Sequence, residues 1–116
     1  MFENEGFNTV KGLTDAVMQR QEILSSNLAN IETKGYVRQD VDFSRVLSEL
    51  KNDSSASGEG NESILARSRY RDSSKPMTLE SELSKLYDNH LRYLLLVKSI
   101  NHHFDHMKKA LEVRAN

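Results

Sequence analysis

The stretch from Leu79 to Leu111 reads LESELSKLYDNHLRYLLLVKSINHHFDHMKKAL and decides the fold of this chain. Apolar residues recur in it at alternating steps of four and three, with one polar interruption. A seam held over roughly four to five heptads is typical of a long helix that buries one face against another helix. The predicted helix-packing seam consists of Leu79, Leu83, Leu86, His90, Tyr93, Val97, Ile100, Phe104, Met107 and Leu111.

Residues at both ends of this stretch agree with a single helix. Thr78 is a suitable N-cap, and Glu80 and Glu82 follow in the first turn, where the helix dipole favours carboxylates. Lys108 and Lys109 lie near the other end, which favours positive charge. The sequence therefore predicts one helix from about Leu79 to Val113, about 50 Å long at 1.5 Å per residue.

A second long helix is predicted near the amino terminus, from about Thr9 to Thr33. Asn8 is its expected N-cap and Gly35 its expected C-terminal stop. Within it, apolar residues recur every seventh position and form a second, more polar seam. The members of that seam are Val10, Val17, Leu24 and Ile31.

Between the two helices the periodicity changes. Residues 36–43 place Val37, Val41 and Phe43 on one side of an extended segment, which predicts a short strand. Residues 43–50 return to helical spacing, and residues 51–60 read KNDSSASGEG, a composition typical of a flexible loop. Residues 64–70 alternate again and predict a second extended piece that can lie beside the first.

These elements predict a mainly all-α fold. Its long N- and C-terminal helices form a coiled-coil-like antiparallel pair, joined by an irregular middle segment with short β structure. We expect an N-terminal helix within residues 1–35, an extended middle segment over 36–77 and a C-terminal heptad helix over 78–116. The two helices form one domain. Apolar residues outside the seam predict contacts with further subunits, namely Leu91, Leu94, Leu95 and Leu96.

Composition limits the function classes. The chain has 116 residues, 37% of them hydrophobic, and its mean hydropathy of −0.64 predicts an elongated molecule with a thin core. A net charge of −1 gives no basic field for nucleic acid. The chain has no cysteine, which excludes disulfides and thiol chemistry. We expect a soluble chain that, if exported, does not use a conventional cleaved signal peptide.

One motif carries more specific information. Residues 25–36 read SSNLANIETKGY, and this stretch resembles the amino-terminal signature of the bacterial flagellar axial proteins, the rod, hook and hook-associated family. The pattern of that family is approximately S-x-N-[LIV]-A-N-x-x-T-x-G-Y. Lys34 departs from it, since many members have proline there. The residues that match, and that we take as the assembly motif, are Asn27, Ala29, Asn30, Thr33, Gly35 and Tyr36.

Within that family the chain is most similar to the proximal rod proteins, by its shortness, by residues 36–43 and by its tyrosine- and leucine-rich final helix. The resemblance implies a structural subunit of the basal-body rod in the periplasm, which polymerises around the export channel and helps to transmit torque. It implies as partners other copies, other rod proteins, the flagellar export apparatus and the membrane-ring components. Two alternatives are another rod or hook member and a soluble coiled-coil adaptor that matches the motif by accident.

Three other groups of polar residues are better explained by surface or packing roles than by a functional site. In the cluster of His102, His103 and His106, the first and last have the spacing of metal ligands, but third and fourth ligands are not evident. We therefore expect His102 and His106 to be exposed or to contact another subunit. His90 is suited to setting helix register. The basic residues near Tyr70 are read as a solvated or intersubunit patch, namely Arg67, Arg69, Arg71 and Lys75.

No catalytic motif is present in the sequence. It contains no phosphate-binding glycine loop, nucleophile elbow or helix-borne His-Glu pattern. We therefore expect a protein that is not an enzyme, with no catalytic residues, cofactor, metal or small-molecule substrate.

Overall fold

The computed structural model describes residues 2–52, 61–74 and 77–115. Two long helices, α1 (Phe2–Ala29) and α4 (Leu79–Ala115), flank a middle segment with two short helices and two short strands. In chain order the middle elements are β1 (Gln39–Val41), α2 (Phe43–Asn52), α3 (Asn61–Ser68) and β2 (Arg69–Arg71). The mainly helical fold class with long terminal helices and a little central β structure is confirmed.

Helices α1 and α4 pack as an antiparallel pair. The ring of Phe7, near the start of α1, stacks on His103 near the end of α4 at 5.2 Å. At the opposite end of the pair, Asn27 donates a hydrogen bond to Glu82 in the first turn of α4. The described residues extend over 64 × 30 × 16 Å, so the predicted elongated shape is confirmed.

Local sequence signals predicted the start of α4 correctly but not the boundaries of α1. The backbone N–H of Ser81 donates to Thr78 Oγ1 at 3.1 Å, which confirms the predicted cap of α4. Helix α1 begins at Phe2, so the prediction of Asn8 as its N-cap was wrong; residue 8 lies inside the helix. The predicted end at about Thr33, with Gly35 as the stop, was also wrong. Helix α1 ends at Ala29, because the chain then tightens into turns in which the Thr33 N–H donates to the Asn30 carbonyl.

The middle segment is more helical than predicted. Strands β1 and β2 pair antiparallel, with Asp40 opposite Tyr70, which confirms two extended pieces side by side. The helix predicted over 43–50 is confirmed as α2. Residues 64–68, however, belong to α3, and the strand prediction there was wrong because Ile64, Leu65 and Ser68 are buried together on one helical face. Of the predicted loop, Lys51 and Asn52 end α2, and the remainder lies outside the described residues.

The core forms where the middle segment folds back against α1. Its buried members are Ala16, Ile23, Val41, Val46, Ile64 and Leu65. Gly12 allows α2 to approach closely, since a Cβ at that position would meet a Leu50 methyl carbon at 2.7 Å. The middle segment therefore lies along the flank of α1 and braces it. None of the described helices has the length and hydropathy needed to span a membrane.

Candidate assembly site

Asn27 joins α1 to β1 and α4. It is completely buried, and its Nδ2 donates to the Gln39 carbonyl at 2.8 Å and to Glu82 Oε2 at 3.3 Å. Its Oδ1 accepts from the Gln39 N–H at 3.0 Å and from the Tyr36 hydroxyl at 3.2 Å. The carboxamide thus pairs with both backbone groups of Gln39, as a neighbouring strand would, and closes that edge of β1.

The rest of the assembly motif shapes the exit from α1. Asn30 Nδ2 donates to the Ser26 carbonyl at 2.8 Å, and Thr33 Oγ1 donates to Asn30 Oδ1 at 3.1 Å. Gly35 has φ of +81°, a left-handed conformation that glycine adopts readily. Ala29 is exposed on the surface of the single chain. The motif therefore turns the chain so that Tyr36 returns to Asn27.

A cluster of buried charges lies beside Asn27. Arg38 Nε contacts Glu82 Oε1 at 2.6 Å, and its Nη2 lies 3.4 Å from Asp40 Oδ2. Arg20 Nε, from α1, lies 2.7 Å from Asp40 Oδ1. Arg38 also reaches Asp72, after β2, at 3.2 Å. The buried charge cluster, defined as Arg20, Arg38, Asp40 and Glu82, thus connects α1, β1 and α4.

Electrostatics favour the charged forms of Asp40 and Arg38. Burial by itself raises the pKa of Asp40, but hydrogen bonds from Arg20 and the Val41 N–H, with the charges of Arg20 and Arg38, lower it below its usual value. Burial likewise lowers the pKa of Arg38, yet its bond to Glu82 and the nearby carboxylates outweigh this effect and raise the pKa. Every member has an opposite charge in contact, so the cluster favours one relative placement of its three elements.

The first helix buries half of its predicted seam. Val17 and Leu24 are buried against the neighbouring elements, at 2% and 0% exposure, while Val10 is half-buried. Ile31 is half-buried too, but it lies in the turns after α1. In the isolated chain, α1 and its neighbours therefore cover the centre of this seam more fully than its ends.

The structure places α1 along one flank of the α4 seam. The α4 residues fully buried are Glu82 and Asn89, each one position before a seam residue. Leu86, Val97 and Ile100 are half-buried. The remaining seam residues are exposed in the single chain, namely Leu79, Leu83, His90, Tyr93, Phe104, Met107 and Leu111. Their role in packing between chains stays a prediction.

Residues outside the seam are exposed as well. Leu91, Leu94 and Leu95 face solvent, as does Tyr87, whereas Leu96 is half-buried. His102 and His106 stack on the surface with ring centres 6.5 Å apart. No group of three or more His, Cys, Asp or Glu side chains among the described residues is arranged to hold a metal ion.

The basic residues near Tyr70 do not form one site. Arg69 donates to the Gln39 side chain at 3.1 Å and Arg67 to Glu49 at 3.1 Å, while Arg71 is exposed. Lys75 lies outside the described residues.

Sequence reasoning missed the buried charge cluster. Residues 36–43 place Val37, Val41 and Phe43 on one side of the predicted strand, and of these only Val41 is buried, at 5% exposure. Arg38 and Asp40 are buried as deeply, at 5% and 4% exposure. The sequence did contain one signal. Arg38 and Asp40 carry opposite charges two residues apart in an extended segment, so their side chains lie on the same face. Their partners lie far away in sequence and only folding brings them close.

Comparisons with known proteins agree with the resemblance of the motif. A family model described as flagella basal body rod protein matches residues 14–36. Flagellar basal body rod protein FlgB of Yersinia enterocolitica is 46% identical over 52 residues, which are 45% of this chain and 38% of the relative. The chain thus matches well under half the length of that relative.

Two further relatives carry the same name. FlgB of Yersinia ruckeri is 40% identical over 52 residues, again 45% of this chain and 38% of the relative. FlgB of Bacillus subtilis strain 168 is 25% identical over 119 residues, covering 89% of this chain and 92% of the relative. The family-model match includes Arg20, Asn27 and Tyr36, so the part that is similar is the part that joins α1 to β1 and α4.

Proposed function

We propose that this chain, a FlgB-like protein of the flagellar basal-body rod, serves as a structural subunit of that rod. The supporting observation is the position of Asn27, which belongs to the matched segment and lies buried where α1, β1 and α4 meet. A joint of this kind holds the two terminal helices in one fixed arrangement. The chain then presents a rigid rod-shaped unit for polymerisation.

The mechanism is packing. Exposed apolar residues run along α4 from Leu79 to Leu111, and burying them against other chains releases water from apolar surface. The partners would be other copies and other rod proteins, with the export apparatus and membrane-ring components at the cell-proximal end. The role is structural rather than enzymatic.

The location that fits this role is the periplasmic part of the basal body, around the export channel. The chain would reach it through the flagellar export pathway without a cleaved signal peptide. In that position it would transmit torque as one layer of the proximal rod.

Deletion of the gene tests the function. Cells without it should lack flagella and fail to swim, and a plasmid copy should restore both. A variant with Asn27→Asp should restore swimming poorly, because the second carboxylate would face Glu82. Deleted cells that swim with normal filaments would contradict the rod function.

A further inference from the structure

We propose that the free edge of β2 binds an extended acidic segment of a different protein, which adds a third strand to the sheet. The segment carries two carboxylates separated by one apolar residue. The β2 edge is defined as Arg69, Tyr70 and Arg71, and all three residues are exposed. The inference goes beyond the proposed function, because it concerns the binding of an extended peptide and holds whether or not the chain is part of the rod.

The opposite edge of the sheet, along β1, is closed by side chains. The N–H and C=O of Gln39 both bond to the Asn27 carboxamide, at 3.0 and 2.8 Å. The next outward N–H, that of Val41, donates to the Asp40 carboxylate at 2.7 Å. A further strand therefore finds few free groups on this side.

The β2 edge, by contrast, is open. The Asp72 N–H donates to the Arg38 carbonyl at 2.9 Å, and neighbouring residues of a strand direct their backbone groups to opposite edges. The N–H and C=O of Arg71 therefore point away from β1, and neither has a partner among the residues that the structure describes. Within the same residues, β1 is the element that β2 mainly contacts. Exposed, unpaired backbone groups of this kind are the template to which an extended segment binds.

The side chains beside this edge select acidic residues. Of the basic residues near Tyr70, Arg69 and Arg71 are two apart in one strand, so their side chains share a face. Both are exposed, and Arg69 donates one bond, to the Gln39 side chain at 3.1 Å. Residues directly opposite each other on adjacent strands also share a face. Carboxylates at alternate positions of the incoming segment therefore lie beside these two guanidinium groups.

The other face of β2 disfavours a third carboxylate. Tyr70 lies there opposite Asp40 and is 45% exposed. Burial raises the pKa of Tyr70, and the charges of Asp40 and Asp72 raise it further, which places negative charge near the phenol. The middle residue of the incoming segment lies on this face, where an apolar side chain can pack against the Tyr70 ring. The pattern that fits the edge is therefore acidic, apolar, acidic.

This chain does not supply the segment itself. Its sequence contains one stretch in which a single apolar residue separates two acidic ones, Asp40-Val41-Asp42. That stretch is already used within the fold, because Asp40 pairs with Arg20 at 2.7 Å and Val41 belongs to the core. The occupant is therefore a different protein.

Binding of two peptides to the isotopically labelled full-length chain tests the edge by NMR. The test peptide is Thr-Glu-Val-Glu-Val-Thr, capped at both ends, and the control peptide, Thr-Glu-Glu-Val-Val-Thr, has the same composition without the alternation. We expect the test peptide to shift the amide signals of residues 69–73 and to bind at least about fivefold more tightly than the control. The Arg71 N–H should exchange quickly with solvent in the free chain, and about tenfold more slowly with excess test peptide.

Charge exchange identifies the side chains that select the peptide. The variant with Arg69→Glu and Arg71→Glu should bind the test peptide at least about tenfold more weakly, and should gain binding to Thr-Lys-Val-Lys-Val-Thr. The matched control is Arg45→Glu, at a largely exposed position of α2, which should bind the test peptide within about twofold of the native chain.

A proline variant tests the backbone contact separately. Arg71→Pro removes the outward N–H but no hydrogen bond between β1 and β2, as proline does on edge strands. It should weaken binding of the test peptide about 3- to 10-fold.

Each result supports or overturns the proposal. No binding of the test peptide, equal binding of the control peptide, or shifts that map outside the β2 edge would overturn it. So would an Arg71 N–H that is already protected in the free chain, or a folded charge variant that ignores the lysine peptide. Where a variant fails to fold, the two peptides on the native chain decide the question alone.

Discussion

Arg38 and Glu82 are 44 residues apart in the sequence, yet their side chains meet at 2.6 Å in the interior. Glu82 has 0% exposure and Arg38 has 5%. The pair ties the strand that follows the assembly motif to the first turn of α4. It therefore fixes how the carboxyl-terminal helix leaves the middle segment.

Removing one partner of this pair should be strongly destabilising. Glu82→Ala leaves the Arg38 charge buried beside one fewer carboxylate, and we expect a loss of about 3 to 5 kcal/mol in the free energy of unfolding. Urea denaturation followed by circular dichroism measures it. The control is Arg45→Ala, whose 3.9 Å contact to Glu49 is largely exposed and should be worth less than about 1 kcal/mol. Equal losses in the two variants would contradict the structural role of the buried pair.

Asn27 should matter more than its neighbour in the motif, Asn30. Asn27→Ala removes hydrogen bonds to Gln39, Tyr36 and Glu82 in the interior, and we expect a loss of about 2 to 3 kcal/mol. Asn30→Ala removes bonds that are local and exposed, and its loss should be about 1 kcal/mol or less. Denaturation of both variants under one condition makes the comparison. A larger loss for Asn30→Ala would contradict the assigned order.

The difference between these two asparagines shows what the sequence could and could not predict. Helix caps and heptad spacing depend on nearby residues, so the Thr78 cap and the two long helices followed from local rules. Gly35 has the left-handed backbone expected of a helix stop, but α1 ends before it, at Ala29. The burial of Asn27 depends on where β1 and α4 arrive, and no local pattern encodes that. Segment 64–68 was assigned the wrong structure because a short alternation fits both a strand and one and a half helical turns.

The free energy of unfolding should fall as the pH is lowered, and Asp40 should account for part of this loss. Because its folded-state pKa lies below its unfolded value, its contribution is fully present above about pH 5 and is lost as pH falls through the folded pKa. The stability difference between the native chain and Asp40→Asn should therefore be largest near neutral pH and shrink toward about pH 3. Urea midpoints across this range test it. Asp105→Asn, exposed on α4, serves as the surface control and should change the urea midpoint only slightly.

Two glycine substitutions should have opposite effects. Gly35 has φ of +81°, so Gly35→Ala forces an alanine into the left-handed region and should cost about 1 kcal/mol. Gly6 lies within α1, and a Cβ at that position would meet nothing within 4 Å, so Gly6→Ala should stabilise by about 0.5 to 1 kcal/mol. Thermal melts of both variants give the signs, and a stabilising Gly35→Ala would contradict the assigned turn.

A charge in the α4 seam should prevent assembly while leaving the single chain folded. Val97 is only half-buried in the isolated chain, so a glutamate there can still reach water, and Val97→Glu should cost little stability by denaturation. In an assembled rod the same carboxylate would be enclosed without a partner, which is unfavourable by several kcal/mol. Cells that carry Val97→Glu should therefore fail to swim, although the chain is produced at a normal level. The matched control is Asn52→Glu at the exposed end of α2, which should swim normally. Swimming by both variants would contradict the packing of this seam against another chain.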